Sequence, residues 1–196
     1  MSHSFFAMFS RMKYIDRWAL MRNTRKENLS EHSLEVAAIA HALAVISNEK
    51  YGTAHNCERA ALLGIYHDMP EIITGDMPTP IKYGNPQLKQ AYKAVERETA
   101  SMLVSMLPDY MQASYSGFFI KQDSDAQLWK LVKAADKISA LIKCIEEGKA
   151  GNSEFASAKI STEKIVSQLD VPAATDFLNE FIAAFALDLD ELQQKN

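Results

Sequence analysis

The dipeptide His67–Asp68 is the feature of this sequence best suited to chemistry, because imidazole and carboxylate are two ligand types that bind divalent metal ions. It ends an apolar segment, CERAALLGIYHD, and Pro70 disfavours helical geometry at the residue before it. Both side chains are therefore expected at the end of a helix. The dipeptide alone is a weak signal, and His67 taken singly is better explained as a core histidine with a hydrogen bond.

Asp136 lies in the segment KAADKISALIK, whose apolar residues indicate a partly buried helix. A buried carboxylate needs a hydrogen bond, an ion pair or a metal ion, because an unpaired charge is expensive to bury. Lys133 or Lys137 offers such an ion pair without any metal. His32, in the first turn of another expected helix, is equally well explained as a polar residue near a helix start. Taken singly, both residues favour a structural role.

Glu71 follows Asp68 by three residues and is a candidate general acid or base by its position. The same spacing, D-x-x-E, is that of a capping box, which would begin a short helix MPEIIT. The sequence leaves both roles open for Glu71, and they do not exclude each other.

Arg17 and Trp18 lie in a short polar connection between the first two expected helices. A guanidinium can bind phosphate through two parallel hydrogen bonds. The indole offers a flat apolar face with one N–H donor, which suits contact with a sugar or a base. The pair is equally well explained as two residues that pack between helices.

The elements that must position these residues are helices throughout. Phe5, Phe6, Met8, Phe9 and Met12 recur at the spacing of an amphipathic helix. Asn28 or Ser30 caps the next helix, with Leu34, Ala37, Ala38 and Val45 expected on its inner side. The remaining expected helices are CERAALLGIYHD, PQLKQAYKAVERETASMLVSML, DAQLWKLVKAADKISALIKCIEEGKAG, and residues of about 153–168 and 173–186. The segment TGDMPTPIKYGNP, with three prolines and two glycines, is expected to form turns.

Composition excludes several classes of protein. The 196 residues are 47% apolar with ordinary charge, and Gly and Pro number only 7 and 6, so we expect one globular, all-α domain. A net charge of −4 without a basic stripe argues against nucleic-acid binding. Cys57 and Cys144 form no CxxC pair, which fits a reducing compartment. Neither a secretion signal nor an apolar run of membrane-spanning length is recognised, so a cytoplasmic protein is expected.

Together, these residues resemble the HD-domain phosphohydrolases, whose pattern is a His, then His-Asp, then a distant Asp on helices. The segments RWALMRN, ENLSEHSLEVA, LLGIYHDMPEIITGDMPTPIKY and LVKAADKISALIKCIEE are similar to bacterial 5'-deoxynucleotidases of the YfbR type. The resemblance implies a single HD-domain helical bundle over 1–196, with a metal-binding core at about 28–145 and the terminal helices packed on it. No motif is recognised over about 108–127.

The resemblance also implies the site. Its metal ligands would be His32, His67, Asp68 and Asp136, its catalytic residues Glu71 and Asp76, and its substrate-binding residues Arg17, Trp18, His32, Asp68, Asp76, Met77, Pro78, Thr79 and Asp136. Asp76 followed by prolines is also an ordinary turn signal. Because no histidine follows His67, the two-metal sites of related phosphodiesterases are not available. His3, His41 and His55 fall outside the pattern and are expected to be structural or exposed.

The implied activity is hydrolysis of deoxyribonucleoside 5'-monophosphates with one divalent transition metal ion, Co, Mn, Fe, Ni, Zn or Cu. A homodimer through the first and the C-terminal helices is expected. The alternatives are an HD-domain hydrolase of deoxynucleoside triphosphates or guanosine tetraphosphate, and a nucleotide-binding HD domain without turnover.

Overall fold

The regular structure of this chain is helical. The computed structural model describes residues 2–78 and 85–194, and within these ranges it contains helices and one isolated antiparallel bridge between Asp16 and Asn28. The predicted all-α fold class is confirmed.

The α-helices of the described part are α1 Phe5–Phe9, α2 Leu29–Tyr51, α3 Cys57–Tyr66, α4 Glu71–Thr74, α5 Pro86–Ser105, α6 Asp109–Ser116, α7 Ala126–Lys149, α8 Ala156–Ser167, α9 Pro172–Phe181 and α10 Leu189–Gln194. Short 3-10 helices occupy Ser10–Tyr14, Asp123–Asp125, Ser153–Phe155 and Ile182–Ala186. The helices expected from the sequence are present, and two helices are additions: α6, in the segment without a recognised motif, and α10 after the last expected helix.

The central core lies between α2, α3 and α7, which pack against one another. Val36 and Leu43 from α2, Leu63 from α3 and Ile138 from α7 are fully buried there. Burying such aliphatic side chains stabilises the fold by roughly 1.5–3 kcal/mol each. The three helices that contribute to this core also carry His32, the His67–Asp68 pair and Asp136.

Gly64 allows α2 and α3 to approach closely. A Cβ atom at Gly64 would lie 2.7 Å from the Cα of Ala37, a distance that real side chains do not tolerate. His67 follows Gly64 by three residues, at the end of α3. The close approach brings His67 beside His32 in the first turn of α2, with their ring centroids 5.2 Å apart.

A second apolar cluster joins the N-terminal segment to the turn that follows the His67–Asp68 pair. Phe5 and Met12 are buried against Leu29, Met69 and Leu103. The amphipathic N-terminal segment therefore packs on the protein's own core through part of its surface, and Phe6 remains half exposed. Met69, buried in this cluster, fixes the turn between α3 and α4.

The inner face predicted for α2 is wrong at three of four positions. Ala37 is buried, but Leu34 is 70% exposed, Val45 is 38% exposed and Ala38 also faces out. The helix is rich in alanine and apolar residues on every side, so its sequence defines its buried face poorly. Its neighbours decide the burial instead, because α3 and α7 pack on the side that carries Val36.

In the described ranges, α2 is the helix long and apolar enough to cross a membrane. Half of its most apolar stretch is buried inside the protein. Its Asn28 cap and its central position are those of a core helix.

Candidate metal and substrate site

His32, His67, Asp68 and Asp136 converge in one group, called here the His–Asp cluster. Their candidate ligand atoms all lie within 4.8 Å of one another. His32 Nε2 is 3.5 Å from Asp68 Oδ2 and 3.4 Å from Asp136 Oδ1, and His67 Nε2 is 3.0 Å from Asp68 Oδ2. Four residues separated by up to 104 positions thus point at a common centre.

Local sequence explains where each member of the cluster lies. His32 is in the first turn of α2, which Asn28 caps by accepting from the backbone N–H of Ser30 and Glu31. Glu31 completes a capping box by bonding back to the backbone of Asn28. The alternative capping box of Asp68 and Glu71 is absent from the structure, since Pro70 is the N-cap of α4 and no side chain caps it.

The Nδ1 atoms of both histidines are held by protein groups that leave Nε2 for the cluster. His67 Nδ1 is 2.7 Å from the carbonyl of Gly64, which can only accept a hydrogen bond. His32 Nδ1 is 3.0 Å from Ser139 Oγ, whose own proton goes to Glu35 at 2.5 Å. Both Nε2 atoms are buried and make no hydrogen bond within the described ranges. A metal-binding histidine is oriented in this way, so these residues fit a metal ion.

The pKa values of both aspartates lie below their ordinary range. Burial acts to raise the pKa of Asp68, but the imidazoles of His67 and His32 outweigh it. Burial also acts to raise the pKa of Asp136, but His32 and Lys137 outweigh it. The Nζ atom of Lys137 lies 2.9 Å from Asp136 Oδ2. Both carboxylates are therefore charged and able to bind a cation.

The pKa of His67 responds to the same carboxylates. Burial acts to lower this pKa, but Asp68 and Asp136 raise it to about 9. The centre of the cluster consequently attracts positive charge strongly, whether as a proton or as a metal ion.

Glu71 is buried, with only 4% of its surface exposed, at the first position of α4. It lines the same cavity as His67, Asp68 and Asp136 without belonging to the His–Asp cluster. The sequence interpretation of Glu71 as a group beside the metal ligands is compatible with this placement.

Arg17 and Trp18 lie in the connection between the Ser10–Tyr14 helix and α2, at the edge of the cluster. Burial acts to lower the pKa of Arg17, but Glu27 and the carboxylates of Asp136, Asp76 and Asp68 raise it. The Arg17 guanidinium is thus within electrostatic reach of the cluster. Trp18 has a φ of 56° and is held by a hydrogen bond from Nε1 to Glu27 Oε2 at 2.9 Å.

The loop after α4 is described as far as Pro78. Asp76 lies near enough to Arg17 to influence its pKa, and Met77 and Pro78 are half-buried. Thr79, also expected to bind substrate, lies outside the described residues.

The structure adds a cavity that the sequence did not indicate. It has a volume of about 770 Å³ and extends from the His–Asp cluster between α5, α7 and the segment at 118–121. Its polar and aromatic lining includes Lys93, Arg97, Phe119, Lys121, Trp129 and Lys133. These residues come from three separate segments without a local motif, and their only regular signals were the four-residue spacings of Lys93 with Arg97 and of Trp129 with Lys133.

The helical arrangement of this chain is the fold of solved HD-domain phosphohydrolases. A solved HD-domain phosphohydrolase from Listeria innocua superimposes with a TM-score of 0.80 at 21% identity, covering 98% of this chain and 92% of that one. The chain belongs to the YfbR-like 5'-deoxynucleotidase family, whose sequence pattern matches residues 4–185. The resemblance stated from the sequence is confirmed.

Named relatives match over almost their whole length. A 5'-deoxynucleotidase of Vibrio vulnificus is 47% identical over 188 residues, covering 96% of this chain and 97% of that protein. A 5'-deoxynucleotidase of Yersinia pestis is 47% identical over 192 residues, covering 98% and 97%. The HD phosphohydrolase DatZ of cyanophage S-2L, solved with dA and one catalytic Zn²⁺ ion, shares the fold with a TM-score of 0.63 at 20% identity, covering 91% of this chain and 95% of that one.

Proposed function

We propose that this chain is a 5'-deoxynucleotidase that hydrolyses deoxyribonucleoside 5'-monophosphates to deoxyribonucleosides and orthophosphate. The His–Asp cluster carries the proposal, because its two oriented imidazoles and two charged carboxylates form a donor set for a divalent ion. Relatives at 47% identity that bear this name support the choice of substrate. The whole chain, 1–196, would act as one domain with its metal-binding core at about 28–145.

One divalent transition metal ion, Co, Mn, Fe, Ni, Zn or Cu, is proposed in the His–Asp cluster. Nε2 of His32 and His67 and a carboxylate oxygen of Asp68 and Asp136 would hold it. When bound, such an ion lowers the pKa of a water molecule and neutralises charge on the phosphoryl oxygens. The sequence contains no histidine after His67, which supports one ion rather than two.

Glu71 is proposed to handle the protons of the reaction. In hydrolysis a water oxygen bonds to phosphorus, the bond from phosphorus to O5' breaks, and O5' must gain a proton. The Glu71 carboxylate would take a proton from the attacking water and return one to O5'. Its burial beside the cluster and its place outside the ligand set support this role. Asp76, near Arg17, is proposed to assist in proton transfer or to bind substrate.

The edge of the His–Asp cluster that carries Arg17 and Trp18, called here the Arg17–Trp18 side, is proposed to bind the substrate. The Arg17 guanidinium would orient the phosphate through paired hydrogen bonds. Trp18 would lie against the deoxyribose, where crowding disfavours a 2'-hydroxyl. Met77, Pro78 and Thr79 would line the nucleotide pocket, and His32, Asp68, Asp76 and Asp136 would also contact the nucleotide.

A homodimer in the cytoplasm is proposed for the assembled enzyme. Large apolar side chains remain exposed on α1 and on the C-terminal helices, at Phe6, Phe181 and Leu189. A second copy would cover such surfaces. The free thiols of Cys57 and Cys144 fit a reducing compartment.

Phosphate release from dAMP, AMP and dATP tests the function, with each metal added singly to metal-depleted protein. We expect orthophosphate from dAMP, less from AMP, and loss of release in Glu71→Ala but not in Glu58→Ala, an exposed control on α3. Tripolyphosphate released from dATP would indicate a triphosphate hydrolase instead, and pyrophosphate released from guanosine tetraphosphate, assayed in parallel, would indicate a guanosine tetraphosphate hydrolase. Nucleotide binding without release under any metal would indicate a non-catalytic HD domain.

A further inference from the structure

The basic cavity, defined by Lys93, Arg97, Lys121, Trp129 and Lys133, continues the metal site away from Arg17 and Trp18, neither of which lines it. Three lining residues on α7 share one helix face, since Trp129, Lys133 and Asp136 are spaced by four and three positions. The cavity floor therefore extends about 10 Å along α7 from the His–Asp cluster. Arg17 and Trp18, the side chains proposed above to bind the substrate, are thus not part of this end of the site.

The end of the basic cavity that lies away from the His–Asp cluster is mainly positive. Four cationic side chains line it there, and Glu96 is the one described lining carboxylate other than Asp68 and Asp136 of the cluster and Glu71 beside them. Within the described ranges no carboxylate lies within ion-pair distance of the four cations, and residues 79–84 contain no acidic side chain. Clefts lined by one sign of charge concentrate ions of the opposite sign.

Lys121 lies near enough to Lys93 and Lys133 for their charges to influence its pKa. Its Nζ lies over the ring of Trp129, 4.8 Å from the centroid. Burial, followed by the charges of Lys93 and Lys133, lowers the pKa of Lys121. The Nε1 atom of Trp129 is buried and, in the part of the chain that the structure describes, has no acceptor. An anion with several oxygens would stabilise these groups together.

We propose that the basic cavity is a second anion subsite that binds a phosphate group through Lys93, Arg97, Lys121 and Lys133. The ligand is either free orthophosphate, which is the product of the proposed reaction, or the outer phosphate of a polyphosphate tail. That orthophosphate is the product of this protein rests on the proposed function, whereas the binding of a phosphate group by the four cationic side chains does not.

Isothermal titration of the metal-loaded, full-length protein tests the subsite, with orthophosphate and inorganic tripolyphosphate as separate probes. The variant is Lys121→Gln/Lys133→Gln, and the matched control is Lys130→Gln, an exposed lysine on α7 outside the cavity. We expect the double variant to weaken binding of at least one probe about tenfold, and the control to bind as the wild type does. The probe that loses affinity identifies the source of the phosphate.

Equal affinities in all three proteins would indicate that the phosphate binds to the metal ion, and would overturn the subsite. Absence of binding of both probes at millimolar concentration would overturn it as well. Helical circular dichroism of the double variant excludes loss of fold as the cause. Release of phosphate from dAMP by the same wild-type preparation tests the proposed function separately. If phosphate binding depends on Lys121 and Lys133 but dAMP is not hydrolysed, only the proposed function is contradicted. If dAMP is hydrolysed but phosphate binding does not depend on these lysines, only the subsite is contradicted.

Glu27 lies behind the Arg17–Trp18 side and contacts both residues. Its Oε2 accepts from Trp18 Nε1 at 2.9 Å and lies 3.8 Å from Arg17 Nε, and its backbone carbonyl accepts from the Arg17 N–H at 2.9 Å. Its Oε1 lies 3.8 Å from His32 Nδ1. Trp18 is the one non-glycine residue of the described chain with a positive φ, a conformation that persists only when neighbouring groups hold it.

We infer that Glu27 is a positioning residue that holds Trp18 and Arg17 at the edge of the His–Asp cluster. This inference rests on the proposed function for its kinetic consequence, but the position of the indole is measurable without turnover. Glu27→Gln keeps an oxygen that can accept from Trp18 and removes the charge that faces Arg17. Glu27→Ala removes both.

Fluorescence of Trp18, recorded in a Trp129→Phe background, tests this inference together with dAMP kinetics. Glu27→Ala is expected to shift the Trp18 emission to longer wavelength, and Glu27→Gln is expected to restore the wild-type emission while KM for dAMP stays raised. Glu49→Gln, exposed on α2, serves as the control. An unchanged emission in Glu27→Ala would overturn the inference, whether or not dAMP is hydrolysed.

Discussion

The two sides of the His–Asp cluster are built on different physical principles. On the Arg17–Trp18 side, Arg17 is buried, Trp18 is partly buried with a rare backbone conformation, and both are hydrogen-bonded to Glu27. The basic cavity is lined by solvent-facing lysines without ion pairs in the described ranges. The first arrangement fixes geometry before any ligand arrives, whereas the second concentrates charge. We therefore expect substitutions on the first side to alter catalysis and those on the second to alter anion affinity and its salt dependence.

The largest effect is expected at Glu71, between the two sides. Glu71→Gln removes the group that moves protons but preserves shape, so kcat for dAMP should fall about 10²–10⁴-fold. Metal content measured by mass spectrometry should remain that of the wild type. A matched Glu58→Gln variant should keep full activity. Undiminished kcat in Glu71→Gln would leave Glu71 with a purely structural role.

Arg17→Lys sharpens the comparison directly. A lysine keeps the charge but loses the paired hydrogen bonds of the guanidinium, so kcat/KM for dAMP should fall about 10–100-fold. The effect should persist at high salt, because buried charges are screened little. Steady-state kinetics at two salt concentrations measure this. If the loss were fully abolished by salt, Arg17 would act as a distant charge, like the lysines of the cavity.

Gly64 tests how strictly the helices must approach to assemble the cluster. Gly64→Ala would force a Cβ against the backbone of Ala37 and should lower the free energy of unfolding by about 1–3 kcal/mol. Gly148→Ala, where no atom lies within 4 Å, should instead stabilise α7 by up to ~1 kcal/mol. Denaturant titration of both variants measures the contrast. Equal stabilities would show that the α2–α3 spacing is not critical.

The smallest effect is an acid sensitivity at Glu147, where α7 is hydrogen-bonded to Thr24 in the connection after Trp18. Burial acts to raise the pKa of Glu147, but hydrogen bonds from Lys143, Thr24 and Asn152 hold it below the ordinary value of 4.5. Its contribution to stability is therefore complete above about pH 4.5 and is lost as the pH falls through the lowered pKa. The stability difference between wild type and Glu147→Gln, from unfolding curves at several pH values, should shrink as the solution becomes acidic. A difference that grew instead would contradict the assignment.

Much of the fold follows from local sequence rules, since the caps at Asn28 and the ends marked by Pro70 define helices where the structure has them. The His–Asp cluster was also accessible, because its members are few, chemically distinct and carried by recognisable segments. The buried face of α2 could not be predicted from the sequence, because the orientation of an alanine-rich helix is set by the helices that pack against it. The basic cavity could not be predicted from the sequence either, since Lys93, Lys121 and Lys133 come together only through tertiary packing.

Reconstitution of metal-depleted protein tests the central claim most directly. A single divalent metal is added stepwise, and phosphate release from dAMP is followed together with bound metal. The His–Asp cluster predicts that activity rises from near zero and saturates at one ion per chain, with both metal binding and activity lost in Asp136→Asn. Activity that needed two ions per chain, or an Asp136→Asn variant that bound metal and cleaved dAMP like the wild type, would contradict it.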